Sequence, residues 1–497
     1  MTTPAKHRLT GFALALSLVG FTACGGDKAA TENKDADKKA DDKAEDKADK
    51  ADDKTDDKAD DKKAADGGDA AGDAGQAADP GSAAVAPANP GEAGPAYFAI
   101  SLKGIAKLDG GTWSLIAADE NRFVSDMFIG PDGAVYVLDF QGLHKIVDDK
   151  LEKVVEFGYK DIGSVSHLGM TKTGDLWATN YKGVGLYKQA DKSWTITEKE
   201  KVGDGGVDML TDVAVGGDGT PWVSGSKVIL KLAGDKWTNV DLAALGDNPY
   251  IFRMGTSPTG DVFGQTSREL VKLGDKVEKI EINSKNFMGY SAAMEFGPTG
   301  KVAVSSSLCD LARLDPAAPA DVWLVNKEEL DCLSFQALAL DGQDRVWVAS
   351  REGLSVVGPD KKATEYGTGT VMELVGTVSH IAVVGAGPSL PAAGPAHTGG
   401  ITGKVLMDGT AIANSKIEMC PSPQIFGSGT PCGSSKIKFE GTTNDKGEFS
   451  FENVPLGDYN VAVEIDGKWR SNYIPSFATK MKEGASYDVG AVTYSKM

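Results

Sequence analysis

The chain is poor in the residues from which most catalytic centres are built. Its 497 residues include five histidines and five cysteines, and no P-loop, HExxH or Ser/His/Asp arrangement can be read in it. Basic charge is not in excess either: 52 Lys and Arg stand against 71 Asp and Glu, a formal net charge of -19. Binding DNA or RNA needs a basic footprint that neutralises phosphates, so no nucleic-acid partner is expected. The apolar stretch from Leu9 to Thr22 is too short to cross a bilayer as a stable helix. From Asp27 to about Lys63 there is no aromatic residue and no aliphatic one larger than alanine, so this segment cannot bury a core.

What is present at the N-terminus reads as an export signal. Lys6, His7 and Arg8 precede the apolar stretch, and the small residues Thr22 and Ala23 lead into Cys24. This resembles the bacterial lipoprotein signal, whose lipobox ends in cysteine, although Phe21 stands where leucine is usual. The resemblance implies that residues 1–23 are removed and that Cys24 is acylated and becomes the first mature residue. An ordinary secretory signal cleaved nearby is the alternative. Residues 24–95 then read as a tether, first Ala/Asp/Lys-rich and next Gly/Ala/Pro-rich. The first part is a solvated single helix or a fluctuating coil.

The middle of the chain repeats. "GAVYVLDFQGLHKI" from Gly133, "GDLWATNYKGVGLYK" from Gly174, "GTPWVSGSKVILKL" from Gly219, "GDVFGQTSRELVKL" from Gly260, "GKVAVSSSLCDLARL" from Gly300 and "DRVWVASREGLSVV" from Asp344 share one pattern. The period is about 40–45 residues, the range of propeller blades. A strand precedes each turn and another follows in most units, giving four short antiparallel strands per repeat. "AYFAISLKGIAKLDGGTWSLI" from Ala96 matches strands two to four without a first. "TVSHIAVVGAG" from Thr377 matches a first strand alone. One blade completed by both ends closes a ring of seven over residues 96–387 and leaves no open sheet edges. The repeats resemble two-component-regulator and streptogramin-lyase-like propellers.

Residues 388–399 read as a linker, and residues 400–497 as a second all-β unit. "NDKGEFSFENVPLGDY" lies among alternating strands. Thr443, Gly447, Phe449, Phe451, Pro455, Gly457 and Tyr459 match the pattern of the carboxypeptidase-regulatory-like, transthyretin-like β-sandwich, which this region resembles. That implies a structural or adhesive module, with the aromatics in the core and Gly and Pro shaping turns. The fold class expected is therefore all-β: a seven-bladed β-propeller plus a small β-sandwich, preceded by a signal peptide and a disordered charged linker.

With Cys24 assigned to lipid, Cys309, Cys332, Cys420 and Cys432 remain, and an even number in an exported chain suggests two disulfides. Cys420 and Cys432 share one Pro/Gly/Ser loop. Cys309 lies at a turn between second and third strands, and Cys332 just before the next first strand. Both places emerge on one propeller face. A four-thiolate metal site is the alternative, but no CxxC spacing supports it.

Aligned first strands place one position seven residues before the turn residue: Asp126, His167, Asp212, Arg253, Ala293, Ala337 and His380. This row or the one preceding it crowns the channel mouth. Asp126, His167, Asp212, Arg253 and His380 form the candidate ligand site, for a small anion or a metal ion. The alternative is a polar plug that closes the channel. The lyase resemblance implies histidines and a glutamate approaching the channel from first strands and from the end of the next strand. Those latter positions hold Ser101, Asp139, Asn180, Gly225, Thr266, Ser306 and Ser350, with no glutamate, a departure from the lyase pattern. His144, on a third strand, reads as a surface or packing residue. The expectation is a lipid-anchored cell-envelope protein of the outer membrane, facing periplasm or surface. It binds a protein, peptide or glycan and needs no cofactor; a propeller lyase or hydrolase acting at the mouth is the alternative.

Overall fold

Each repeat folds into four short antiparallel strands. The computed structural model describes residues 89–495, apart from 158–161, 164, 166, 204–206, 208, 247–249, 267–268, 283–290, 307–308, 331, 333–334, 425–428 and 474–479. The expected signal peptide, Cys24 and nearly all of the tether lie outside the described residues. Blade 1 consists of Val124–Ile129, Val135–Asp139, Gly142–Val147 and Lys150–Glu156. Blades 2 to 6 repeat this order, starting from His167–Met170, Leu210–Val215, Arg253–Thr256, Ser291–Phe296 and Phe335–Leu340. Blade 7 is shared between the ends of the propeller. Val378–Gly385 supplies its first strand, and Ala93–Ile100, Gly104–Asp109 and Thr112–Ala118 the rest.

The turn after each first strand explains the repeat's commonest residue. Gly133, Gly174, Gly219, Gly260 and Gly300 have φ between 78° and 92°, and Asp344 takes the same left-handed place at 60° in blade 6. Three residues on, the second strands carry a row of large rings: Tyr136, Trp177, Trp222, Phe263 and Trp347, with Tyr97 in blade 7. Blade 5 has Ala303 instead. These rings fill the wedges between blades and bury roughly 150–250 Å² each.

The closing seam is reinforced by side chains as well as by strand pairing. Phe98 and Trp113 of blade 7 have centroids 5.2 Å apart, Phe98 lies 6.0 Å from Trp347 of blade 6, and Trp113 meets Tyr366 edge-on at 5.6 Å. The fully buried Asp341 accepts hydrogen bonds from Arg345 Nε at 2.7 Å and Trp347 Nε1 at 2.8 Å. Arg345 Nη2 donates to the carbonyls of Ala386 and Pro388, both at 3.0 Å. Blade 6 thus grips the chain as it leaves blade 7.

The C-terminal strands form two four-stranded sheets on one shared core. Thr398–Met407 pairs with Glu448–Pro455 and, in parallel, with Ser486–Tyr494. Lys416–Cys420 and Asn460–Ile465 centre the other sheet. Phe449, Phe451 and Tyr459 are buried together in the core between them. The Tyr459 hydroxyl donates to the Pro455 carbonyl at 2.8 Å, fixing the corner before that strand. Both expected disulfides are present: Cys309–Cys332 with Cα atoms 5.7 Å apart and Cys420–Cys432 at 5.8 Å. Among the described residues no helix is long and apolar enough to cross a membrane.

The sandwich and the propeller belong to one compact unit and meet at blade 6 and the connection to blade 7. Val375 of that connection packs into the sandwich core. His397 N donates to Gly369 O, Thr377 Oγ1 to Asp458 Oδ2 at 3.1 Å, and Ser435 Oγ to Glu352 Oε1 at 2.7 Å. Glu352 is 9 % exposed and its second carboxyl oxygen has no partner among the described residues. Burial pushes its carboxyl above the ordinary range, against the pull of Ser435. A carboxyl whose pKa rises on folding loses stability as pH climbs from its unfolded to its folded value. Glu352→Gln is therefore expected to raise the melting temperature at pH 8 by about 2–4 °C, on the order of 1 kcal/mol. The gain should vanish near pH 4, where the wild-type carboxyl is protonated in both states. A pH series of thermal melts checks this, and a gain independent of pH would refute it.

Candidate functional site

First strands of neighbouring blades pack on one another around the axis and line the central channel. All begin on one side of the ring. Antiparallel order sends the second-to-third turns and the connections between blades to that same side, so these segments surround the channel mouth. The row Asp126, His167, Asp212, Arg253, Ala293, Ala337 and His380 is equivalent in register. Its partners on the second strands are Leu138, Thr179, Ser224, Gln265, Ser305, Ala349 and Ala99.

The structure joins most of these side chains to one another or to the next blade. Asp212 is buried; its Oδ1 accepts from Val213 N and its Oδ2 from Met254 N of blade 4, both at 2.8 Å. His380 reaches the Ser125 backbone of blade 1, and its Nδ1 lies 3.1 Å from Ser379 Oγ. Asp126 accepts from Met127 N at 2.8 Å. Arg253 Nη1 donates to His167 Nε2 at 2.8 Å, from blade 4 to blade 2. An arginine only donates, so the imidazole accepts at Nε2 and carries its proton on Nδ1. That Nδ1 is buried without a partner among the described residues. Burial raises the pKa of Asp212, while the Arg253 charge and the N–H bonds from Met254 and Val213 pull the other way. Burial, helped by Arg253, lowers that of His380, while Asp126 pulls the other way.

One residue of this cluster escaped the sequence alignment. Glu295 sits two positions beyond Ala293, one layer deeper. Its equivalents are Phe128, Gly169, Ala214, Gly255, Ala339 and Ala382, all apolar or small. Its cross-strand partner is Ala303, the single small residue in the ring row. A lone carboxylate opposite a lone missing ring was a signal available in the sequence. Protein surrounds Glu295 on every side, yet it stays open to water, as a channel-lining side chain does. The surrounding protein and the negative charges of Asp126 and Asp212 push its pKa up to about 8, against the pull of Arg253.

Behind the mouth row stands a second polar layer. Thr179, Ser224, Gln265 and Ser305, in blades 2 to 5, are all fully buried. Ser224 Oγ meets Thr211 Oγ1 at 2.8 Å. Thr179 Oγ1, Ser305 Oγ and both ends of the Gln265 amide have no partner among the described residues. Buried polar atoms seldom stay unpaired, so such a row marks where water or a ligand supplies the missing bonds.

The positions compared with the lyase pattern serve the turns. Asp139 Oδ1 accepts from Gln141 N and Gly142 N, and Asn180 Oδ1 from Lys182 N and Gly183 N. Thr266, Ser306 and Ser350 cap their turns likewise. His144 is buried on the third strand of blade 1 with its Nε2 3.3 Å from Asp139 Oδ1, and Arg122 pairs with the same carboxylate. Among the described residues no three His, Cys, Asp or Glu side chains converge as metal ligands.

The rim of the mouth is apolar over half its circumference. Of eight exposed large apolar side chains among the described residues, five lie on mouth-side segments of blades 1 to 4: Phe123, Phe140, Tyr181, Met209 and Tyr250. Phe140 and Tyr181 are each 66 % exposed, at the tips of successive second-to-third turns. Tyr250 meets Phe252 edge-on, with centroids 4.7 Å apart. Over blade 6 and the connection to blade 7 the same face is occupied by the sandwich.

Fold and mouth define the protein as a seven-bladed β-propeller with an appended β-sandwich. No family model and no curated protein matches the chain. Among solved structures it is similar to a streptogramin B lyase, at 13% identity and TM-score 0.39, over 55% of this chain and 87% of that one. It is also similar to YCF48 solved with a bound peptide, at 13% identity and TM-score 0.36, over 49% and 81% of the two chains. A third similar structure is the extracellular domain of a hybrid two-component system from B. thetaiotaomicron, at 10% identity and TM-score 0.36, over 75% and 47%.

Proposed function

We propose that this is an exported binding protein, held to the cell envelope through Cys24, that takes a protein or peptide partner on its mouth face. The observation that supports the reading best is the apolar rim. Phe123, Phe140, Tyr181, Met209 and Tyr250 gather around the uncovered half of one face, beside the polar channel mouth. Aromatic anchors surrounded by polar groups are the usual make-up of a binding hot spot. The disulfides accord with an oxidising compartment. Full-length protein should capture a partner from envelope extracts, and once that partner is purified, its affinity should fall about tenfold or more in the Phe140→Ala/Tyr181→Ala double variant. Unchanged affinity in that variant would refute the mouth face as the site.

Catalysis at the mouth is the second reading. It is favoured by Glu295, whose carboxyl is held up to about 8, and by Arg253, which acts on that carboxyl and also donates to His167. A propeller lyase or hydrolase would lose turnover in Glu295→Gln and His167→Ala while retaining substrate binding.

A further inference from the structure

We propose that the channel mouth recognises a lysine or arginine side chain of the partner, with the rim aromatics packing on the residues beside it. This rests on the mouth-face reading above and names the chemistry that the face selects. Three carboxyl groups, Asp126, Asp212 and Glu295, share the channel entrance with one guanidinium, that of Arg253, which is already engaged with His167. The cluster is thus short of positive charge. Near neutral pH the proton held by Glu295 offsets the repulsion among these carboxyls, and a cation placed there takes over that role.

Two independent features point to a ligand. The fully buried Gln265 stands opposite Arg253 on the paired strand, with both amide ends unpartnered. Thr179 and Ser305, opposite His167 and Ala293, are in the same condition. These are donors and acceptors in the layer just behind the entrance, able to hold waters that bridge to an ammonium or guanidinium in front of them. The second feature is the rim. Exposed rings offer faces to a cation's stem and to its apolar neighbours. A free amine would leave them unused, whereas a protein segment covers them. The uncovered arc also continues the surface on which the sandwich docks, so a segment lying across the mouth is bounded on one side by folded protein.

The groups facing Glu295 are Asp126 and Asp212, both carboxyls, and Arg253. A bound cation lowers the pKa of Glu295, so binding near neutral pH releases a proton. Acetyl-Phe-Lys-Phe-amide, its arginine counterpart and its norleucine counterpart are titrated calorimetrically into the full-length protein in two buffers of different ionisation enthalpy, with n-butylammonium chloride as the free-amine control. The basic peptides should bind about tenfold more tightly than the norleucine peptide, with proton release, and n-butylammonium should bind far more weakly. Glu295→Gln should abolish the release and reduce the preference. Asp126→Asn should reduce the preference independently, so a fold defect in either variant does not decide the matter. Equal binding of lysine and norleucine peptides, binding by none of the peptides, or a preference that survives both substitutions overturns the inference. Binding of n-butylammonium as tight as that of the peptides overturns the partner-segment part. Peptides that bind without lysine preference but weaken in Phe140→Ala/Tyr181→Ala leave the mouth face standing and remove only the cation.

Discussion

Asp341→Ala is expected to lower the stability of the propeller by about 3–5 kcal/mol, the cost of leaving a largely buried guanidinium and a buried indole N–H without their carboxylate. Asp341 is wholly buried and holds Arg345, Trp347 Nε1 and the backbone N–H groups of Gln343 and Arg345 at once. Once it is removed, Arg345 keeps only the Ala386 and Pro388 carbonyls, and Trp347 keeps a buried indole N–H with no acceptor. Both groups sit on the seam where blade 6 receives the last strand of the ring. Roughly 2–4 °C per kcal/mol for a domain of this size gives a fall in melting temperature on the order of 10 °C. Asp341→Asn can still accept from the indole and should recover part of the loss. Thermal melts of the two variants decide the point. Equal, small effects in both would mean that the seam is held by strand pairing and ring packing alone.

The ring architecture was legible in the sequence because one local device recurs. A left-handed turn residue demands glycine or a tolerant aspartate, and a ring three residues later fills the inter-blade wedge. These requirements are local, so they leave a periodic trace. Closure by both ends was legible for the same reason, since "AYFAISLKGIAKL" and "TVSHIAVVGAG" are complementary fragments of one unit. The mouth row could be aligned, but not the partners it makes. That Arg253 meets His167 across blade 3 depends on how far a guanidinium reaches over the channel, which no period encodes. Glu295 was missed because only one layer of first-strand positions was compared. The apolar rim was missed for a different reason. Phe123, Phe140, Tyr181, Met209 and Tyr250 belong to turns and connections of unequal length, and only the strand directions show that they share a face.

Replacing Cys309 and Cys332 together by alanine is expected to cost about 3.5 kcal/mol, the chain-entropy value for a loop of this length. Their sequence separation is 23, against 12 for Cys420 and Cys432, for which the same relation gives about 2.9 kcal/mol. The first bridge ties the second-to-third turn of blade 5 to the entry of blade 6. There Cys309 and Cys332 pack with Leu330, Leu338 and Val348 in one buried cluster. The second lies within the sandwich, where Cys432 N donates to the buried Glu418 at 2.9 Å. The two bridges share no partner, so their losses should add to within a few tenths of a kcal/mol. Denaturant melts of both double variants and of the quadruple variant test this. Their placement also separates stability from binding. The acidic entrance and the apolar rim are built by blades 1 to 5, whereas the propeller bridge marks the border between blades 5 and 6. Well below the melting temperature, the bridge-free protein should keep its mouth and bind as the wild type does. A bridge-free variant that stays folded but loses binding would mean that the Cys309 turn itself is part of the recognition surface.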